Sequence, residues 1–207
     1  MPLFKIINHN AATQILVWKI TETPAQLASN NPLQLASKNR LLAMKSDLHK
    51  CAFLAVRKML QHLKISDHDL HYDPSGKPLL TSGNHISISH SYHFATLIIS
   101  TKPAGIDIEM QREKIIKIAN KFSIELLNTS NTVEYIKNLT IIWGAKEAIF
   151  KIKNQKGISF KDHIKVQQFQ TNQNQTTAVL SFNSKTEIFT MHYHEIENYI
   201  LVYTLLE

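Results

Sequence analysis

Asp107 and Glu109 stand two residues apart in the stretch GIDIE, and Glu147 stands between two lysines in WGAKEAIFK. Alternate side chains of a β-strand share a face, so Asp107 and Glu109 point together, opposite Ile106 and Ile108. Their Cα atoms are then roughly 6–7 Å apart, close enough for both carboxylates to approach one hard cation. Mg²⁺ suits such a pair, because it takes oxygen ligands and fills its other positions with water and phosphate. In the second stretch Trp143, Glu147 and Lys151 recur every fourth residue and line one helix face. Ile142, Ala145 and Ile149 fall on the core side. Each stretch also has a plain alternative. GIDIE reads equally as an edge strand with its polar face in water, and Glu147–Lys151 as an exposed pair worth about 0.3–0.5 kcal/mol. Brought together, three carboxylates without a cation repel one another and raise their pKa values. Lys146 and Lys151 stand beside them to neutralise phosphate.

More cations precede this set. Lys77 sits in the turn sequence SGKP, where it can reach a phosphate. His90 lies between Ser89 and Ser91 in SISHS and faces away from both. Lys38, Arg40, Lys45 and Lys50 gather before and at the start of a long helix, as a solvated surface or as a grip on an anion. Histidines in HDLH and HYH raise zinc, but a single cysteine and no HxxxH helix spacing argue against it.

The elements that must position these residues follow from periodicity and turn chemistry. TQILVWKIT reads as a first strand. Thr23 and Pro24 start a helix that breaks at Asn30 to Pro32. A long helix begins at Asp47, with Leu48, Ala52, Val56, Met59, Leu60 and Leu63 as its apolar stripe and Lys50, Arg57 and Lys58 elsewhere. DPSGKP is a turn, and HISISHS and FATLIIST form a hairpin. KPAGIDIEM opens a new strand, followed by a helix at Ile115 to Phe122, a polar loop at Asn128 to Thr132 and the helix of WGAKEAIFK. HIKVQQFQ, TTAVLSF, TEIFTMHYHE and NYILVYTLL read as strands, with TNQNQTT as an exposed hairpin loop. The two halves, 1–103 and 104–207, repeat a pattern of strand, helical insert, long helix, Lys/Gly turn and antiparallel strands. The expected fold is therefore α+β, mostly antiparallel, with two similar halves and a ligand cleft between them near Pro103.

Composition narrows the class. The 207 residues are 43% hydrophobic and 19% charged, as in ordinary globular proteins. No apolar run is long enough to span a membrane, and the start lacks a secretory signal. Cys51, the single cysteine, fits a reducing cytoplasm and falls where a small buried hydrophobe is expected. The net charge of +7 favours an anionic partner. No Lys/Arg run marks a nucleic-acid surface, and a phosphate-rich small molecule or an acidic protein satisfies the same charge as nucleic acid would, so charge alone does not choose.

The ordered set GKP, ISHS, GIDIE, WGAKEAIFK and KG resembles the 4′-phosphopantetheinyl transferases of the longer, surfactin-synthetase type, built from two similar halves. The resemblance runs from about Arg40 to Gly157. It implies Mg²⁺-dependent transfer of the phosphopantetheine arm of coenzyme A to a serine of an apo acyl or peptidyl carrier protein, with release of 3′,5′-ADP. By analogy Asp107, Glu109 and Glu147 hold Mg²⁺ on the pyrophosphate. Lys77, Ser89, His90 and Lys151, with Lys38 and Lys50, contact the phosphates of coenzyme A, Lys77 and His90 at the 3′-phosphate and adenosine end. Glu147, or a water held by the metal, would take the serine proton, and Lys146 or Lys151 would stabilise the leaving phosphate. Two departures stand out: Ser87 replaces a frequent Asn, and FSIEL carries Glu125 one residue earlier than the family's F-S-x-x-E. A monomer is expected, since one chain would complete its own site, with no nucleic-acid or membrane partner. Two other functions share these residues. A Mg²⁺-dependent nuclease would need a basic groove several nucleotides long, and a non-catalytic module binding coenzyme A or a carrier protein would have no use for the metal cluster.

Overall fold

A computed structural model describes residues 3–124 and 131–206. The chain divides into two compact units, with the boundary between Thr101 and Lys102. The architecture is α+β, and every strand pairing is antiparallel.

The first unit contains β1 (Leu3–Asn10), β2 (Thr13–Lys19), α1 (Pro24–Ala28), α2 (Leu35–Ala43), α3 (Asp47–His62), β3 (Leu70–Tyr72), β4 (Pro78–Leu80), β5 (His85–Ser91) and β6 (Phe94–Ser100). Its main sheet has the order β1-β2-β6-β5, and β3 pairs with β4 alone. β1 is an extra strand that the sequence reading passed over. Its residues are mostly exposed and include Asn, His and Lys, so it carries no apolar alternation; its ladder to β2 holds it in place. β2, flanked on both sides, is buried along most of its length. α3 starts where Ser46 Oγ accepts from the His49 amide, a common N-cap. It packs on β2 and β6 through a core that includes Leu16, Leu54, Met59, Leu60 and Leu97. Two residues of α3 depart from the expected pattern: Leu48, of the apolar stripe, is 37% exposed, and Arg57, placed outside it, only 4%.

The second unit contains β7 (Ala104–Met110), α4 (Lys114–Phe122), α5 (Thr132–Lys153), α6 (Phe160–His163), β8 (Ile164–Val166), β9 (Gln175–Phe182), β10 (Lys185–Ile196) and β11 (Tyr199–Leu205). The sheet order is β7-β11-β10-β9-β8, and α5 lies across β7 and β11. On β10, Phe189, Met191 and Tyr193 alternate inward and join Ile141, Ala145, Ile149 and Val202 in one core. α5 opens on Asn131, whose Oδ1 accepts from the amides of Val133 and Glu134. It closes at Asn154 in the left-handed conformation, φ 46°, a usual C-terminal signal. The expected strand HIKVQQFQ shortens to β8, preceded by the short helix α6. Ser159 forms that helix's cap, its Oγ accepting from the Asp162 amide at 3.2 Å. Among the described residues no helix is long and apolar enough to cross a membrane.

Candidate active site

Two glycines set the site by letting a helix lie directly on a sheet. A Cβ at Gly105 of β7 would stand 1.9 Å from the Ala148 carbonyl oxygen on α5. A Cβ at Gly144 of α5 would stand 2.7 Å from Val202 Cγ2 on β11. With hydrogen at both positions, α5 closes onto the β7–β11 pair and brings its fourth-residue face over the strand carboxylates. Gly105→Ala is therefore expected to destabilise the protein by on the order of 3 kcal/mol, because backbone must move to relieve the clash. Urea unfolding of the variant checks this value, and wild-type stability would contradict the close approach.

Lys151 Nζ donates to Asp107 Oδ1 and to the Ile106 carbonyl oxygen, both at 2.8 Å. The Asp107 side chain is 5% exposed and the Lys151 side chain 26%, so this ion pair is largely withdrawn from water. Asp107 pairs with Val202 and Glu109 with Ile200 along β11, which keeps both carboxylates on one face. Glu147, four residues before Lys151, is pushed from 4.5 up to about 7. Burial is the main cause, followed by the like charge of Asp107; Lys151 works in the opposite sense and Glu109 adds a smaller push upward. Glu147 thus feels both strand carboxylates.

Among the described residues no three His, Cys, Asp or Glu side chains are arranged to hold a metal ion. The donor chemistry nevertheless suits a hard cation. Asp107, Glu109 and Glu147 are all oxygen donors, burial and then the like charges of Asp107 and Glu109 drive up the Glu147 pKa, and oxygen donors are what Mg²⁺ selects. Glu109 also borders an open cleft of about 210 Å³ lined by Met110, Arg112, Lys114, Ile115, Ile118 and Trp143.

Lys146 takes a different position from Lys151. It is fully buried, and its ammonium donates to the carbonyl oxygens of Phe122 at 2.7 Å and Phe160 at 3.1 Å. It therefore meets the end of α4 and the start of α6, while Lys151 meets β7. Glu125 lies outside the described residues.

In the first unit Lys77 is half-buried in the turn between β3 and β4. Its amide donates to Asp73 Oδ1 at 2.9 Å, and burial lowers the pKa of its ammonium against the pull of Asp73. Ser89 is buried and His90 exposed on β5, the opposed faces expected of a strand. The His90 ring stands 5.8 Å from the ring of His49, the residue before Lys50 on α3. Lys50 itself reaches Asp47 Oδ1 at 3.2 Å. Lys38 is exposed on α2, and Ser87, where Asn was anticipated, is buried on β5.

A buried brace was missed at the sequence level. Arg57 Nε donates to Asp67 Oδ1 at 3.0 Å, and the same oxygen accepts from Ser37 Oγ at 3.0 Å. Asp67 Oδ2 accepts from the Gln34 amide at 3.0 Å, so one carboxylate ties the start of α2 to α3. The Arg57 guanidinium lies 3.5 Å from the centre of the Phe53 ring, one helical turn earlier, a stacking that favours arginine. The available signal was the position of Arg57 directly after Val56, at the edge of the apolar stripe.

Comparison with known proteins gives the family. Residues 103–204 match the family model of the 4′-phosphopantetheinyl transferase superfamily, a span that contains β7 and α5 and hence Asp107, Glu109, Glu147 and Lys151. The chain is similar to 4′-phosphopantetheinyl transferase gsp of Aneurinibacillus migulanus, at 31% identity over 150 residues. That match covers 69% of this chain and 61% of the relative, so it spans somewhat less than two thirds of the relative's length. Through residues 103–204 the chain belongs to the 4′-phosphopantetheinyl transferase superfamily.

Proposed function

We propose that this chain transfers the 4′-phosphopantetheine arm of coenzyme A to a serine hydroxyl of an apo acyl or peptidyl carrier protein. The serine oxygen forms a bond to the phosphorus that carries the pantetheine arm. The bond from that phosphorus to the bridging oxygen breaks, and 3′,5′-ADP leaves. The observation that carries this reading is the site on β7 and α5, where Glu147, raised to about 7, lies among two further carboxylates and Lys151.

Each residue has a definable task. Glu147, whose proton affinity is raised by burial and by Asp107, is suited to accept the serine proton as the oxygen attacks. Lys151, already held by Asp107 and the Ile106 carbonyl, presents a fixed positive charge for the pyrophosphate. Phosphoryl transfer depends on such placed charge more than on covalent chemistry. Asp107, Glu109 and Glu147 would hold Mg²⁺, which when bound supplies neutralisation of the pyrophosphate charge. Lys77, Ser89 and His90, with Lys38 and Lys50, are assigned to the phosphates of coenzyme A, Lys77 and His90 at the 3′-phosphate and adenosine end. The partial burial of Lys77, which favours giving its ammonium an anionic partner, supports that assignment.

The net charge of +7 supports an acidic carrier protein as the second substrate. A monomer, a cytoplasmic location and descent of the two halves from one duplicated unit belong to the same reading. Each unit packs its longest helix on an antiparallel sheet, which supports the duplication. The test is release of 3′,5′-ADP from coenzyme A when an apo carrier protein and Mg²⁺ are added. Release is expected only with all components present and should stop on chelation of the metal. Undiminished release in chelator would remove Mg²⁺ from the account.

A further inference from the structure

We infer that Lys146 is a positioning residue, and that with Trp143 it clamps the end of α4 and the start of α6 onto α5 beside the carboxylates. The catalytic arm of the test below rests on the proposed transferase reading; the clamp itself does not.

Two residues, Phe122 and Phe160, each meet α5 twice. Their rings flank Trp143, with ring centroids at 5.0 Å for Phe122, edge-on, and 5.6 Å for Phe160, tilted. Their carbonyl oxygens accept from Lys146 Nζ at 2.7 and 3.1 Å. Trp143 and Lys146 are three residues apart, so they are neighbours on the helix surface. Phe122 is the last residue of α4 and Phe160 the first of α6. Carbonyls at the C-terminal end of a helix, as at Phe122, lack partners within the helix, and a buried ammonium with several donors can serve this oxygen and that of Phe160 at once. Buried carbonyl oxygens left without donors are costly, so removing the lysine frees both segments to move.

The clamp acts on the site through its neighbours. Trp143 lines the cleft that also includes Glu109 and, from α4, Ile115 and Ile118. Glu147 follows Lys146 directly. Successive helix residues are turned by roughly 100°, so anchoring Lys146 toward α4 and α6 fixes the direction in which Glu147 leaves the helix. Lys151, one turn beyond Glu147, carries the positive charge at the carboxylates. Lys146 has its ammonium turned to the carbonyls and acts on the chemistry only through position.

The experiment combines hydrogen exchange with steady-state kinetics on Lys146→Met and Lys146→Arg. In Lys146→Met the amides of α4 should exchange about tenfold faster or more, with those of α3 and β6 unchanged. Its kcat should fall by on the order of tenfold to a hundredfold, as expected for misplacement, with KM for coenzyme A nearly constant. Lys146→Arg, which retains donors, should recover part of the kcat loss. Unchanged α4 exchange in Lys146→Met would overturn the clamp, as would a kcat loss beyond about a thousandfold with α4 unaltered, the mark of a chemical role. If Lys146→Met does not fold, Trp143→Phe carries the test, and α4 exchange as slow as in the wild type would reject the clamp. Should the wild-type protein transfer nothing to any carrier protein, the transferase reading fails, while the exchange measurements still decide the clamp.

Discussion

Glu147→Gln is expected to be more stable than the wild type at pH 8 and to have lost transfer activity. The Glu147 carboxyl is raised from 4.5 to about 7, first by burial and then by Asp107. A carboxyl whose folded pKa exceeds its unfolded value binds its proton more tightly when folded. Below pH 4.5 both states are protonated and the group does not bias folding. As pH climbs from there to about 7, the unfolded chain has released the proton and the folded chain still holds it, so stability falls. Above pH 7 the full penalty remains. A displacement of this size corresponds to at most about 3 kcal/mol, and screening of a half-buried group reduces that to about 1–2 kcal/mol. Glutamine keeps the volume and removes the charge. The variant's melting temperature should therefore rise by about 3–6 °C at pH 8 and match the wild type at pH 4. Its kcat/KM should fall by on the order of a thousandfold, since it loses both a proton acceptor and a metal ligand. Melting curves at the two pH values and transfer rates settle both parts. Wild-type turnover would remove Glu147 from the mechanism, and a variant no more stable at pH 8 would contradict the electrostatic picture of the cluster.

The second large effect is expected at Lys151. Lys151→Met leaves Asp107, whose side chain is 5% exposed, without the ammonium at 2.8 Å and leaves the Ile106 carbonyl without that donor. Removing one partner of a buried ion pair is costly because the remaining charge stays buried. The pair is partly reached by solvent through Lys151, so the expected loss is about 2–4 kcal/mol at neutral pH. Transfer should fall by about a hundredfold to a thousandfold, the scale of losing one fixed charge at a reacting phosphate. Adding Asp107→Asn to the variant should restore much of the stability, though not the activity. Urea unfolding of both single variants and the double variant gives this coupling. Strictly additive losses would mean that the pair contributes nothing beyond its separate members.

The candidate-site face was legible because it obeys simple periodicities. Asp107 and Glu109 follow the alternation of a strand, and Trp143, Glu147 and Lys151 follow the repeat of a helix. The burial of Ile142, Ala145 and Ile149 agrees with the same pattern. The α+β class and the antiparallel strands of the second unit were legible from alternation and turns. What escaped depends on partners far away in sequence. Gly105 reads as one residue of a strand, and its need for hydrogen shows only with the Ala148 carbonyl in place. Lys146 and Arg57 read as surface or catalytic cations because burial of a cation is decided by distant acceptors. For Lys146 these include the carbonyls of Phe122 and Phe160, and for Arg57 the Asp67 carboxylate. β1 escaped for a related reason: it is held by its ladder to β2 more than by an apolar face of its own.

The central claim, that this chain loads carrier proteins with phosphopantetheine, is tested most directly by intact-mass spectrometry. An apo carrier protein is incubated with coenzyme A, Mg²⁺ and the protein, in parallel with Glu147→Gln. With the wild type, the carrier should gain the mass of one phosphopantetheine on a serine, and with Glu147→Gln it should gain none. Unmodified carriers across fatty-acid, polyketide and peptide-synthetase types, in the presence of folded wild-type protein, would contradict it.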